Sequence, residues 1–178
     1  IPNTYDVYWN IPVDKFLEKM QKENYRFWNP TRSQKASQLG LTHNEVITLA
    51  SIVDEETAND NEKPMIAVMY YNRLKLRNAE YPKGMPLQAD PTIKFAWKRF
   101  ELKRIYNNLL SIKSPYNTYK NPGLPPGHIR IPSIAGIDAV LNRIHNNYLY
   151  MCAKEDFSGT HNFAETYKEH MDNAAKYA

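Results

Sequence analysis

The sequence predicts an α+β fold, mainly helical, with short β-hairpin structure near its end and a long Pro/Gly-rich loop before it. Three observations carry this. Apolar residues recur three and four apart along most of the 178 residues, which is the spacing of one buried helix face. Near the end the pattern changes to alternation in Tyr148–Ala153 (YLYMCA), and Thr160–Ala164 (THNFA) returns after a polar turn, as in a hairpin. Between Ser114 and Ile134 stand five of the twelve prolines and two glycines. No regular element survives that density, yet the loop is rigid because proline fixes φ.

Taken in order, residues 1–12 (IPNTYDVYWNIP) mix proline, asparagine and aromatics and read as an extended lead-in. Val13, Phe16, Leu17 and Met20 predict a helix from Val13 to Trp28. Asn29 to Leu41 is polar, carries Gly40 and reads as a connection. The best-marked helix follows. Thr42 with Glu45 three residues later is a capping box, and Val46, Leu49, Ala50 and Val53 form the apolar face behind it. Ala58–Lys63 is a polar turn, and Pro64 fits the first turn of another helix running to about Leu76. Asn78–Pro86 is a loop by its Gly and Pro content. Asp90 before Pro91 reads as an N-cap with proline at the first helical position, opening a short helix to about Phe100. Glu101–Lys113 fits a strand pair or a short helix equally. Ile137, Val140, Leu141 and Ile144 predict a helix over Ser133–Ile144, and Thr166–Ala178 closes as a helix behind the hairpin. One domain, 1–178, accommodates all of this, with 1–40 as a leading lobe to a core of 41–178.

Composition narrows the function classes. An apolar content of 42% with 24% charged residues suits an ordinary globular protein. No run approaches the roughly 18 apolar residues of a membrane span, and no basic-then-apolar leader opens the chain. A first residue of Ile1 rather than Met points to a processed or excised piece. The net charge of +4 comes from scattered Lys and Arg, so no nucleic-acid partner is expected. Thirteen Tyr offer aromatic faces that can meet sugar rings, although packing in a core is the commoner role of Tyr. The single Cys152 lies in an apolar strand, where packing is a plainer role than nucleophile. The five His lack zinc spacing, and GxSxG, P-loop and GxGxxG signatures are missing. Neither a metal nor a cofactor is called for. Carboxylate chemistry remains.

The central helix ends on Asp54, Glu55 and Glu56. Neighbours on a helix are about 100° apart, so these acids face different ways. Glu55 points to solvent and Asp54 sits at the edge of the apolar face. Glu56, one turn after Ile52 and three residues after Val53, continues the apolar stripe. Desolvation there favours the neutral carboxyl, as a general acid near neutral pH requires. A helix-end carboxylate paired with Lys or Arg is the plainer alternative, and Asn72-Arg73-Leu74 offers Arg73 as the partner. For Asp90, capping alone is a sufficient account. The proline-rich loop displays Tyr116, Asn117, Thr118 and Tyr119, either as a binding surface or as a turn-rich linker.

Taken together, ASIVDEET (Ala50–Thr57), NRL (Asn72–Leu74), LQADPT (Leu87–Thr92), SPYNTY (Ser114–Tyr119), GLPPG (Gly123–Gly127) and HNF (His161–Phe163) resemble, in kind and order, the motifs of YceG-like proteins. This is the MltG family of endolytic murein transglycosylases, and the resemblance covers nearly the whole chain. The family's catalytic glutamate lies in an ASI-[IV]-E-K-E-T stretch, whose second acid matches Glu56 and whose first is the shorter Asp54 here. The family usually continues GLPPG with Pro-Ile and Asn-Pro-Gly, whereas this chain reads His128-Ile129-Arg130-Ile131-Pro132-Ser133.

The resemblance implies a lysozyme-like α+β core and a lytic transglycosylase. Such an enzyme cleaves the β-1,4 bond between N-acetylmuramic acid and N-acetylglucosamine without water. Glu56 would act as acid and then as base, leaving a 1,6-anhydro end. Gln88, Asp90, Tyr116, Asn117, Thr118 and Tyr119 would contact the glycan, Tyr116 and Tyr119 by stacking on a sugar face. Family members carry an N-terminal membrane helix and a LysM-like lobe. The expected setting is therefore the outer face of the cytoplasmic membrane, reached through an anchor upstream of this chain. The expected partners are peptidoglycan strands and the cell-wall synthesis machinery. A hydrolytic muramidase using Glu56 and Asp90, and a non-catalytic peptidoglycan-binding module, are the competing readings.

Overall fold

The computed structural model describes residues 1–156 and 158–177. They form a helix-rich α+β fold, as the sequence predicts. Its helices are α1 (Val13–Phe27), α2 (Pro30–Gln38), α3 (His43–Glu56), α4 (Lys63–Lys75), α5 (Asp90–Trp97), α6 (Ile134–Leu141) and α7 (Tyr167–Tyr177). Strands β1 (Tyr150–Ala153) and β2 (His161–Ala164) pair antiparallel, with Tyr150 opposite Ala164 and Ala153 opposite His161. Among the described residues no helix is long and apolar enough to cross a membrane.

The core is built around α3. Its start is fixed by the expected capping box: the Thr42 Oγ1 accepts from the Glu45 N–H at 3.2 Å, and the Glu45 carboxylate accepts from the Thr42 N–H at 2.7 Å. From Val46 on, the helix is buried on nearly every side, including Thr48, Ser51 and Asp54. It packs against α4, α5 and α6, with Leu49, Ile52, Ile66, Leu87 and Ile137 fully enclosed. The C-terminal end of α3 therefore delivers Glu56 from a rigid interior.

Several sequence expectations change here. Asn29–Leu41 is not a plain connection but contains α2. Asn29 caps it by accepting from the Arg32 N–H at 2.9 Å, with Pro30 in the first turn. Within α2 only Ala36 is buried, so no apolar period announces the helix. Asp54 is not at an edge. It is buried, pairs with Lys63 at 2.9 Å, and accepts from the backbone N–H and hydroxyl of Ser133 at the start of α6. Glu101–Lys113 resolves to a 3₁₀ turn at Asn107–Ser111. Part of the predicted Lys154–Gly159 turn, and Ala178 at the end of the predicted last helix, lie outside the described residues.

Candidate active site

A cleft of about 340 Å³ opens where the end of α3 meets α4, the start of α5 and the inner side of the hairpin with α7. Glu56 is at its helical side. Its carboxyl accepts a hydrogen bond from the Tyr70 hydroxyl at 2.6 Å, and Tyr70 is fully buried in α4. Burial pushes the Glu56 carboxyl from 4.5 up to about 7; the Tyr70 bond pulls down, and the nearby Asp90 charge pushes up. Such a group holds a proton near neutrality and can release it.

Among the described residues no Lys or Arg forms an ion pair with Glu56, although the Lys94 charge is near enough to pull its pKa down. Arg73 spends its guanidinium on backbone carbonyls, with Nε to Leu149 O at 2.5 Å and Nη1 to Leu87 O at 2.8 Å. Arg73 thereby ties the strand that leads into β1 to the segment before α5. Asn72 beside it holds the segment before β1, donating to the carbonyls of Asn146 at 2.9 Å and Tyr148 at 3.1 Å. Glu55 is exposed and pairs with Arg130 at 2.9 Å.

The other sequence candidates divide. Gln88, Asp90 and Tyr119 line the cleft with Glu56. Asp90 is not the cap it resembles: α5 already includes it, no side chain caps that helix, and its Oδ1 accepts from the Tyr119 hydroxyl at 2.6 Å. A carboxylate at the first helical residue still opposes the positive end of the helix dipole, but its hydrogen bond is long-range rather than local. Gln88 is exposed, with its backbone in the left-handed region at φ 54° and its amide oxygen 3.3 Å from Arg73 Nη1.

Asn117, Thr118 and Tyr116, expected as sugar contacts, are not among the residues that line this cleft. Asn117 is fully buried. Its amide donates to the carbonyls of Leu110 at 3.0 Å and Ile112 at 2.9 Å and accepts from the Tyr119 N–H at 3.0 Å. Thr118 is buried too, its Oγ1 accepting from the Ala89 N–H at 3.0 Å and sharing a hydrogen bond with Thr92 Oγ1 at 2.8 Å. Tyr116 packs its half-buried ring on Phe95, centroids 4.7 Å apart. These three hold Tyr119 and the 88–92 segment in place.

Sequence reasoning gave no role to Tyr70, Tyr150, His161, Tyr167 or His170, all of which line the cleft. Nothing local marks Tyr70 among thirteen tyrosines; His161 stands in the HNF motif. Cys152 also lines the cleft rather than the core, half-buried, with its thiol pushed up by burial and so held in the unreactive form. Among the described residues no cluster of His, Cys, Asp and Glu has the makings of a metal site.

Comparison with known proteins agrees with the motifs. The model of the YceG-like family matches residues 1–176. The chain is similar to an endolytic murein transglycosylase of Bacillus subtilis, 34% identical over 99% of this chain and 46% of that protein. It is similar to another of that name from Streptococcus pneumoniae, 30% identical over 99% of this chain and 31% of that one. The chain thus spans less than half the length of these curated relatives. A crystal structure of a YceG-like protein from Listeria monocytogenes superposes with a TM-score of 0.78 at 29% identity, over 97% of this chain and 53% of that one.

Proposed function

The chain belongs to the YceG-like family, and from that membership and its cleft we propose that it is the catalytic part of a lytic transglycosylase acting on peptidoglycan. The observation that carries this reading is Glu56: a carboxyl desolvated to a pKa of about 7, in a cleft, hydrogen-bonded to a neutral phenol and not to a cation. The relatives are named for this activity on murein. In the proposed reaction the protonated Glu56 gives its proton to the glycosidic oxygen as the bond from the muramoyl C1 breaks, the electron pair leaving with N-acetylglucosamine. The muramoyl 6-hydroxyl oxygen then bonds to C1, and its proton goes to the Glu56 carboxylate. Glu56 ends as it began, no water is consumed, and the product carries a 1,6-anhydro ring.

Because peptidoglycan lies outside the cytoplasmic membrane, we place the chain in the cell envelope, on that membrane's outer face. The cell-wall synthesis machinery is the natural neighbour of such a cutter.

Digestion of purified peptidoglycan followed by mass spectrometry tests the reading. Anhydro-muropeptides are expected from the wild type, and Glu56→Gln should lower their rate by about 10²-fold or more. Hydrated products would favour the muramidase, for which Asp90 is the observed second carboxylate in the cleft. Asp90→Asn separates the two: its amide oxygen can still accept from Tyr119, so a lytic enzyme keeps making anhydro products, whereas a hydrolase that uses the Asp90 charge is dead. Tight glycan binding with no cleavage by the wild type would leave the binding-module reading.

A further inference from the structure

Glu62 and His161 form a pair that the proton transfers above do not use. Glu62 is buried, 8% exposed, at the start of α4. Its Oε1 accepts from the backbone N–H of His161 at 2.6 Å, and its Oε2 lies 3.1 Å from Nδ1 of the same residue. A carboxylate can only accept, so Nδ1 carries the hydrogen in that contact. The ring is thus fixed in orientation, and Nε2 is its other nitrogen. Nε2 makes no hydrogen bond to any described residue, and the side chain, 17% exposed, lines the same cleft as Glu56. In the neutral ring so oriented, Nε2 is an acceptor.

Anchoring the strand does not require the ring. The backbone bond to Glu62 Oε1 attaches β2 to the helical core with any side chain at this position. The second bond adds only control of the imidazole. A buried carboxylate that orients a histidine lining a cleft is the arrangement of a ligand-facing group with its own support.

We propose that His161 Nε2 accepts a hydrogen bond from a hydroxyl or acetamido N–H of the bound glycan, with Glu62 as the positioning residue that aims it. This rests on the reading of the cleft as a glycan site. It adds to the cleft a polar group contributed by the hairpin rather than by the helices.

Two substitutions separate this from a merely structural role. His161→Asn can place an amide where Nδ1 lies, keeping the Glu62 contact and deleting the cleft atom. His161→Gln can extend an amide oxygen towards the Nε2 position and gives up the Glu62 contact. Soluble, uncrosslinked peptidoglycan strands serve as substrate, with melting temperature, kcat and KM measured for each. The proposal expects His161→Asn to melt like the wild type and lose about three- to tenfold in kcat/KM, the worth of one hydrogen bond, with His161→Gln recovering part of the loss. A strut would give the reverse order, Asn fully active and Gln destabilised, and that result overturns the proposal. Should the wild type give no anhydro product, the lytic reading alone has failed. The acceptor is then decided by calorimetric titration of the same strands into Glu56→Gln and the Glu56→Gln/His161→Asn double variant. Weaker binding by the double variant supports it, and equal binding overturns it.

Discussion

At the scale of single residues, the pair Glu56–Tyr70 makes two kinds of pH dependence. In the proposed reaction Glu56 must hold its proton, so turnover should fall as pH rises through about 7. The Tyr70 hydroxyl stabilises the carboxylate form. Tyr70→Phe should therefore move that alkaline limb to higher pH; a limb that stays put or moves down would show that Tyr70 does not tune the acid. Stability follows the same proton. The folded pKa of about 7 lies above the ordinary 4.5, so this contribution is full below about pH 4.5 and is lost as pH rises through 7. The loss is on the order of 3 kcal/mol by pH 8. Glu56→Gln has no charge to bury, so its melting temperature should gain on the wild type between pH 5 and pH 8. Parallel curves would contradict the burial argument.

Among the elements, the junction of α3 with α6 is the tightest joint. Asp54 binds Lys63, takes the first donor of α6 from Ser133, and lies so close to Gly136 that an added Cβ would meet its Oδ1 at 2.5 Å. Alanine at 136 gains about 1 kcal/mol of helix propensity, but displacing a buried, bonded carboxylate costs more. Gly136→Ala should lower stability by about 1–3 kcal/mol in denaturant titration, and Asp54→Ala by about 1–3 kcal/mol because the Ser133 N–H loses its acceptor, while Lys63 keeps its pair with Asp60 at 2.7 Å. The legibility of the elements follows from how local their causes are. The start of α3 was readable since Thr42 and Glu45 are three residues apart. So was the desolvation of Glu56, which follows from helical angle. Asp90 was misread because the choice between capping α5 and binding Tyr119 depends on a residue 29 positions away. Asn117 looked like a displayed polar group, yet the carbonyls of Leu110 and Ile112 pull it inward. Helix α2 escaped because it buries little of itself.

For the whole molecule, the cleft is a seam between two bodies of unequal build. One side is the helical core around α3, fully enclosed apolar side chains throughout. The other is the hairpin with α7, whose Tyr148, Met151 and Phe163 only half-bury against that core. Its attachment runs largely through side chains of the α4 region: Glu62 to His161 at one end, Asn72 and Arg73 to the backbone at 146–149 at the other. Segments held by few buried contacts open at lower free energy than the core, so amides at 150–153 and 161–164 should exchange hydrogen faster than those at 49–53. A consequence follows for heat. Glu56, Tyr70 and Asp90 stand on the durable side, while His161, Tyr150 and His170 stand on the other. Warming should detach the second wall before it melts the first, and activity should vanish at a temperature where helical circular dichroism is still intact. Coincident inactivation and unfolding curves would mean that the two sides melt as one. If they separate, the thermal limit of the proposed activity is the strength of the side-chain tethers from Glu62, Asn72 and Arg73, and fastening the hairpin would extend its working range without touching the core.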